Sequence, residues 1–310
     1  MKWFRDRFEA ASTLIVFALI YVYLARTFSP SLMVSETITA GGDMASHYYP
    51  ALFLHEHLLP NFDVIGWMPG WYAGMPLFQF YFPLPFIWIA VLGWIIPLEV
   101  SFKLVSVLGV FLLPACMYLC LRFLGCRFPV PLFGASFSLP FLFLENHSMW
   151  GGNIPSTLAG EFSYSISLSL TVLFLGSLYY GLKNNRLVLF NIFLLAAIAL
   201  THVYTVLYIV STSLIFLYIL GGVGLREKLY YFARVYIPAF LLVGFWIIPL
   251  IAFLPYTTSY NLFWVIAEEI SPPMIWPFMA LSAAGLFMAS RNRLQRAGVV
   301  LLAVLVVAVG

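Results

Sequence analysis

Residues 102–122 read FKLVSVLGVFLLPACMYLCLR, an apolar run whose only charged side chains, Lys103 and Arg122, stand at its two ends. A helix needs about 20 mainly apolar residues to cross the hydrocarbon core of a bilayer, so this run predicts a transmembrane helix. Of the 310 residues in the chain, 63% are apolar and 9% are charged. Soluble domains carry about 25% charged residues. The sequence therefore predicts an integral membrane protein.

Similar apolar runs recur along the sequence and predict an all-α polytopic protein with about nine transmembrane helices. They lie at about 11–28, 102–122, 129–145, 162–182, 187–202, 204–221, 235–254, 275–290 and 297–310. The apolar density is nearly uniform and no Ser/Gly linker interrupts it, so we expect residues 1–310 to form a single transmembrane domain. Because the chain ends within an apolar run, we expect a fragment that stops inside a span.

The segment 83–98 is apolar but short, has prolines near both ends, and carries Trp88 and Trp94. Counted as a span, it would place Arg122 on the opposite side from the basic N-terminus. Tryptophan suits the headgroup level of a bilayer, so we predict a juxtamembrane helix here. The first outer loop then extends over about 29–100 and contains this helix.

With that assignment, the charges separate by side. All of the 15 lysines and arginines except Arg26 and Lys103 fall on one face, which the positive-inside rule makes cytoplasmic. We therefore predict a multi-pass protein of the cell membrane with a cytoplasmic N-terminus. All five histidines and most of the 12 acids lie on the outer face. Acidic residues contribute little to orientation, so their clustering indicates a functional site there. The net charge of +3 is too small to indicate nucleic-acid binding.

The first outer loop carries the sequence Gly41-Gly42-Asp43 before an apparent helix start. The two glycines permit an unusual turn, Asp43 is placed to cap a helix that begins at Met44, and His47 follows four residues later on the same helix face. Asp43 is therefore either a catalytic carboxylate or only a helix cap. Glu161 stands at the start of a later predicted span, where a negative charge is favourable in its own right.

Several of these segments together resemble the GT-C superfamily of membrane glycosyltransferases. They are the acid near the start of a long first outer loop, the stretch Trp67-x-Pro-x-Trp71-x-x-Gly-x-Pro-Leu77, the proline-bracketed segment 83–98 and the turn Arg-Phe-Leu-Gly at 122–125. Within that superfamily, the Gly-Gly-Asp opening and Leu-Ala-Gly-Glu-Phe at 158–162 resemble membrane proteins described as "6-pyruvoyl-tetrahydropterin synthase-related". That description implies no pterin chemistry here, because the zinc-binding histidine set of the soluble synthase is not recognisable.

The resemblance implies transfer of a sugar from a polyprenyl-phosphate donor to an acceptor glycan, lipid or protein at the extracytoplasmic face. Such chemistry needs a carboxylate that takes the acceptor's proton or holds a divalent metal such as Mg²⁺ or Mn²⁺. Asp43 is the candidate for either task, and Glu161 is the second catalytic candidate. The candidate donor-binding residues are His47, Lys103, His202, Trp67, Trp71 and Tyr72.

Other functions remain open from the sequence. The aromatic residues between Trp67 and Tyr81 suit an interfacial aromatic belt as well as a donor groove. A transporter or lipid flippase is the main alternative, although such proteins place ionisable groups near the middle of their spans, and few are found there in this sequence. A non-catalytic GT-C-like membrane protein is the third possibility, because Asp43 is not accompanied by a second acid in its loop motif.

Overall fold

The computed structural model describes residues 2–145 and 151–258, together with Trp276, Ala280 and Ala284. Within these residues the regular secondary structure is helical except for one small hairpin of two strands. The predicted span 297–310 lies outside the described residues, and so does 275–290 apart from those three positions.

The secondary structure begins with the first apolar helix and the outer loop that follows it. In chain order the elements are α1 (Lys2–Thr27), α2 (Pro30–Met33), α3 (Met44–Phe53), a π-helical turn (Leu54–Leu58), a 3₁₀ turn (Leu59–Asn61), β1 (Gly66–Met68), β2 (Met75–Leu77) and α4 (Leu84–Leu92). The bundle continues with α5 (Leu98–Phe123), α6 (Val130–Leu142), α7 (Ile154–Ser156), a π-helical turn (Thr157–Glu161), α8 (Phe162–Asn184), α9 (Val188–Thr201), α10 (Tyr204–Ile219), α11 (Leu225–Phe253) and a 3₁₀ turn (Leu254–Tyr256).

Four helical segments are long and apolar enough to cross a membrane: Asp6–Thr27, Leu98–Phe123, Ile154–Asn184 and Leu225–Tyr256. The predicted spans 129–145, 187–202 and 204–221 correspond to shorter apolar helices, Val130–Leu142, Val188–Thr201 and Tyr204–Leu217. An α-helical membrane protein is thus confirmed. The total of nine spans stays a prediction.

Helices α5 and α8 form the centre of the bundle because small residues let their backbones approach closely. A Cβ atom placed on Gly109 of α5 would lie 2.4 Å from the carbonyl carbon of Ser165 in α8, and one placed on Gly176 would lie 2.6 Å from the Cα of Cys120. The Ser169 hydroxyl also donates to the carbonyl oxygen of Gly109 at 2.8 Å. Close packing over small residues is the usual way in which membrane helices associate.

The contacts between α1 and α5 explain why the segment 83–98 need not cross the membrane. Near the start of α1, Glu9 accepts a hydrogen bond from Arg122 at the end of α5 at 2.7 Å. Beyond the other end of α1, the carbonyl oxygen of Leu32 accepts one from Lys103 at the start of α5 at 2.6 Å. The two helices are therefore antiparallel. Helix α4 between them has only nine residues, about 13 Å of helix against a hydrocarbon core of about 30 Å.

We call the end of the bundle that carries residues 29–97 the loop end, and the opposite end the N-terminal end. A hydrophobic core beneath the outer loop fastens that loop to the loop end. It joins α3, the hairpin, α4, α5 and α8 through the fully buried side chains of Met44, Met68, Phe86, Phe102 and Phe162. Burial of large aromatic and aliphatic side chains is the main source of this attachment.

The hairpin of β1 and β2 was not predicted from the sequence. Its strands are antiparallel, with Gly66 opposite Leu77 and Met68 opposite Met75. It lies within the aromatic stretch, and each strand buries the side chain of its last residue, Met68 or Leu77. The connection between the strands contains Tyr72, Ala73 and Gly74 in succession at positive φ.

Candidate functional site

The Gly-Gly-Asp motif forms the turn that the sequence predicts. Gly41 and Gly42 have φ values of 113° and 49°, and α3 begins at Met44. Asp43 occupies the N-cap position, but its side chain makes no capping hydrogen bond. Its carbonyl oxygen instead accepts the first helical bond, from the backbone N–H of His47 at 3.0 Å. Asp43 is exposed and its carboxylate does not cap α3, so the carboxylate is available for another interaction.

This turn packs directly on the π-helical turn before α8. The backbone N–H of Asp43 donates to the carbonyl oxygen of Ala159 at 2.7 Å. A Cβ on Gly42 would lie 2.0 Å from that same oxygen, and a Cβ on Gly160 would lie 2.9 Å from the Cβ of Asp43. Only glycine allows this approach at either position, which is why both residues are required by the geometry.

Glu161 follows immediately and brings a second carboxylate to the site. Gly160 departs from helical geometry, with φ 126° and ψ −12°, and Glu161 is the N-cap residue of α8. The residue is half-buried, and it follows Gly160, on which an added Cβ would lie 2.9 Å from the Cβ of Asp43. Asp43 and Glu161, far apart in sequence, thus belong to one electrostatic site. Backbone irregularities such as this π-helical turn are common at functional sites.

His47, one turn after Asp43 on α3, lies among aromatic rings. Its ring centroid is 5.5 Å from that of Tyr81, 5.8 Å from that of Phe86 and 5.4 Å from that of Phe162. Burial lowers the pKa of His47 to about 4, and the nearby charge of Asp43 offsets only part of that shift. The imidazole is therefore neutral at pH 7 and is able both to donate and to accept a hydrogen bond.

Tyr81 packs against the ring of His47 and lies within the electrostatic influence of both acids. Burial raises the pKa of its hydroxyl, and the charges of Glu161 and then Asp43 raise it further. The hydroxyl consequently keeps its proton at neutral pH and acts as a donor. A protonated donor beside two carboxylates is an arrangement suited to proton transfer and to stabilising negative charge.

His202 lies in a neighbouring enclosure of aromatic rings. Its ring is 4.3 Å from Phe82, 5.2 Å from Tyr164 and 5.2 Å from Tyr204, measured between centroids. Burial lowers the pKa of His202 to about 4. Its Nδ1 atom is buried without a hydrogen-bond partner among the described residues. Phe82 follows Tyr81 directly, so this enclosure adjoins the carboxylate site.

Lys103 is held by backbone carbonyls at the loop end. Its ammonium group donates to the carbonyl oxygens of Leu32 and Ser35 at 2.6 and 2.5 Å, and to the Ser35 hydroxyl at 3.1 Å. The side chain is buried. These three contacts match the three donor hydrogens of an ammonium group, and they fasten the chain after α1 to α5. A role for Lys103 in donor binding stays a prediction.

The predicted donor-binding aromatics lie on the hairpin. Trp67 is 62% exposed and Tyr72 is 93% exposed, whereas Trp71 is partly buried against the core beneath the loop. The rings of Trp71 and Tyr72 are stacked with centroids 6.3 Å apart. Trp67 packs over Gly74, where a Cβ would lie 2.4 Å from its ring. The hairpin therefore presents exposed aromatic surface, as a lipid-facing or donor-facing surface requires.

A metal ion would find two carboxylates here. Within residues 2–145 and 151–258, no group of three or more His, Cys, Asp or Glu side chains is placed to hold a metal ion. Mg²⁺ is commonly bound by one or two carboxylates together with substrate phosphates and water. Asp43 and Glu161 are sufficient as the protein ligands of such a site. They are too few to form a metal site from protein ligands alone.

The sequence did not single out some residues that complete the site, namely Phe82, Ser163 and Tyr164. Ser163 and Tyr164 belong to an alternation of serine with larger residues at the start of α8, and Ser163, Ser165, Ser167 and Ser169 are all buried. This run of serines in an otherwise apolar span is the signal that would have found them. Phe82 carries no comparable signal, since aromatic residues are frequent throughout the chain.

The site can now be compared with known proteins. A model of the family described as "6-pyruvoyl-tetrahydropterin synthase related domain; membrane protein" matches residues 78–310. That region contains Tyr81, Glu161 and His202, while Asp43 and His47 precede it. No curated protein matches the chain, and no solved structure does. Because the match covers most of the sequence, the chain belongs to the 6-pyruvoyl-tetrahydropterin synthase related family of membrane proteins.

Proposed function

We propose that this protein is a membrane glycosyltransferase of the GT-C type that uses a polyprenyl-phosphate-linked sugar. It transfers the sugar to an acceptor glycan, lipid or protein at the extracytoplasmic face of the cell membrane, and its N-terminus is cytoplasmic. The observation that carries the proposal is that the turn at Asp43 packs on the turn that ends at Glu161, at the loop end, with His47 following Asp43 on α3 and its ring 5.5 Å from that of Tyr81. The loop end is then the outer face.

The reaction needs a proton acceptor for the attacking group of the acceptor. Asp43 is exposed and takes that proton as the acceptor oxygen bonds to the anomeric carbon of the sugar. The bond between that carbon and the phosphate oxygen breaks, and its electrons stay with the polyprenyl phosphate. General-base catalysis of this kind contributes about 10²–10⁴-fold to a rate.

The departing phosphate gains negative charge and needs hydrogen-bond donors. The Tyr81 hydroxyl, kept protonated by burial and by the two carboxylates, supplies one. The neutral imidazole of His47 supplies a second. Glu161 is less exposed than Asp43. Its carboxylate orients the Tyr81 side chain and keeps the electrostatic potential of the site negative. Donors fixed before the reaction stabilise developing charge without reorganisation.

A divalent cation such as Mg²⁺ or Mn²⁺ at Asp43 and Glu161 would supply positive charge to the departing phosphate. The donor's lipid chain lies along the aromatic side chains of the hairpin, Trp67, Trp71 and Tyr72. His202 offers its unpartnered Nδ1 to the donor from the adjoining enclosure. Aromatic surface at the headgroup level suits a lipid-linked substrate.

Release of polyprenyl phosphate tests this proposal. Purified protein in lipid nanodiscs is incubated with a panel of polyprenyl-phosphate sugars, with and without Mg²⁺ or Mn²⁺. We expect release by the wild type and a loss of about 10²–10⁴-fold in Asp43→Asn. Asp63→Asn, which changes an exposed acid of the same loop, is the matched control and should keep full activity.

Two results would replace this proposal by its alternatives. If labelled lipid crosses the bilayer of proteoliposomes without cleavage of its sugar, the protein is a transporter or flippase. If the wild type neither cleaves nor moves any donor of the panel, and binds none, it is a non-catalytic GT-C-like member of the family.

A further inference from the structure

A second site lies at the N-terminal end of the bundle, away from the two acids of the loop end. A cleft of about 700 Å³ opens there between α1 and α5. Its volume is in the range of about 300–1,000 Å³ that is usual for pockets holding small molecules. None of its lining residues belongs to the proposed transferase site.

The charged groups of this cleft lie at the end nearest the N-terminus of α1. Arg122 of α5 and Glu9 of α1 form an ion pair of 2.7 Å, with 46% and 29% of their side chains exposed. Asp6, one turn before Glu9, supplies a second carboxylate to the lining. The guanidinium has five N–H donors, so the pair with Glu9 leaves donors for a ligand. The cleft thus offers one cationic group and two anionic groups side by side.

The remainder of the cleft is mainly apolar and runs along α1 away from its N-terminus. Leu14 is 73% exposed. At the opposite end of the cleft from the charged groups, the rings of Phe17 and Tyr118 pack edge to face with centroids 5.4 Å apart. From Asp6 to Phe17 the helix rises by about 16 Å at 1.5 Å per residue. Half the hydrocarbon core is about 15 Å thick. The cleft therefore extends across one leaflet, with its polar groups at the membrane surface.

We propose that this cleft binds one phospholipid with a primary-amine headgroup, as in phosphatidylethanolamine. The ammonium group donates to the carboxylates of Asp6 and Glu9, the phosphate accepts from Arg122, and an acyl chain lies along Leu14 and Phe17. The lipid then fills the space between α1 and α5 and holds α1 against the bundle. Few of the residues in the α1 span are otherwise buried, 11% of its most apolar window.

The arrangement of charges selects this headgroup over other lipids. The headgroup of phosphatidylglycerol has a phosphate for Arg122 but no cation to pair with the two carboxylates of the cleft. The trimethylammonium group of phosphatidylcholine carries the same charge as ethanolamine but has no N–H to donate. Hydrogen bonds to charged groups are roughly twice as strong as those between neutral groups, so this difference favours the primary amine.

Native mass spectrometry of the full chain tests the proposal. Delipidated protein is equilibrated with vesicles of equal amounts of phosphatidylethanolamine, phosphatidylcholine and phosphatidylglycerol that share the same acyl chains. We expect one phosphatidylethanolamine to remain bound, with a preference of about tenfold over each other lipid. Asp6→Asn should remove most of the preference over phosphatidylcholine. Glu36→Gln, an exposed acid beyond the other end of α1, should leave it unchanged.

A second variant separates loss of lipid binding from misfolding of the protein. Leu14→Trp adds bulk at an exposed position, so the protein should fold while the cleft is filled and retention of every lipid falls. Equal retention of the three lipids, a preference for phosphatidylglycerol, or unchanged retention in Leu14→Trp would each overturn the proposal. No retained lipid at all would also overturn it.

Discussion

The backbone N–H of Asp43 donates to the carbonyl oxygen of Ala159 at 2.7 Å. This one bond joins the first outer loop to the turn before α8 and sets the Asp43 side chain next to Glu161. It is possible because Gly42 and Gly160 leave no Cβ between the two backbones. A buried or partly buried backbone bond of this kind contributes about 1 kcal/mol, and its geometry fixes the relative positions of the two acids.

Gly42→Ala should separate these acids. The new Cβ would lie 2.0 Å from the carbonyl oxygen of Ala159, so the loop must move and the Asp43–Ala159 bond must lengthen or break. We expect a loss of about 1–3 kcal/mol in the free energy of unfolding and a loss of transferase activity. Thermal unfolding in detergent measures the first effect, and donor cleavage measures the second.

Gly41→Ala is the control for that experiment. Gly41 also has a positive φ, 113°, but its Cβ would meet nothing within 4 Å. It shares the backbone strain of the Gly42 variant without the clash. If both variants lose activity equally, strain in the turn explains the result and the contact with Ala159 does not.

Lys103→Met should destabilise the protein, because the Leu32 and Ser35 carbonyl oxygens would lose their ammonium donor. Hydrogen bonds to charged groups contribute about 1.5–3 kcal/mol, and we expect a loss of that order in the free energy of unfolding. Lys183→Met, at an exposed position, should have little effect on unfolding. An unchanged melting temperature in Lys103→Met together with weaker donor binding would instead support the donor-binding role predicted from the sequence.

Acid should destabilise the folded protein through His47 and His202. Burial lowers the pKa of each to about 4, while an unfolded histidine titrates near 6.5. Between those values the unfolded chain binds more protons, so the free energy of unfolding falls as the pH is lowered from about 6.5 to 4. Each histidine contributes at most about 3.5 kcal/mol to that fall, at about 1.4 kcal/mol per pKa unit.

His47→Phe tests this pH dependence. Phenylalanine keeps a ring against Tyr81 and Phe86 and removes the titrating group, so unfolding measured from pH 7 to pH 4 should depend less steeply on pH. His57→Gln, at an exposed histidine, should follow the wild type. A wild-type slope in His47→Phe would mean that His47 is not held neutral by its surroundings.

Alanine substitutions of the two exposed aromatic residues of the hairpin should differ in their effects on stability and on donor binding. Tyr72 is 93% exposed, so Tyr72→Ala should leave the melting temperature unchanged and weaken binding of a polyprenyl-phosphate sugar. Trp67→Ala should lower both, because the indole packs on Gly74. Binding and melting are measured on the same samples. Wild-type binding by both variants would assign the hairpin to an interfacial belt.

Local features of the fold were predictable from the sequence. The start of α3 at Met44 follows from Gly41-Gly42-Asp43, where the two glycines supply the positive φ values. The apolar runs locate the helices because each run is a continuous stretch of chain. The short, proline-bracketed segment 83–98 likewise gives the short helix α4.

The meeting of distant residues was not predictable in the same way. The bond between Asp43 and Ala159 joins two turns far apart in sequence, and their positions depend on helix packing such as that of α5 on α8 over Gly109 and Gly176. No local pattern encodes those positions. Lys103 illustrates the same limit, since a lone cation near an outer loop suggests a phosphate ligand, whereas its nearest partners are backbone carbonyls.

A double-mutant cycle on Asp43 and Glu161 tests the central claim, that the two acids act in one catalytic site. Rates of polyprenyl-phosphate release are compared for the wild type, Asp43→Asn, Glu161→Gln and the double variant. Residues that act as a unit have non-additive effects. We predict that Asp43→Asn lowers the rate by about 10²–10⁴-fold and that adding Glu161→Gln lowers it little further. Wild-type rates in both single variants, or strictly multiplicative losses in the double variant, would contradict the account.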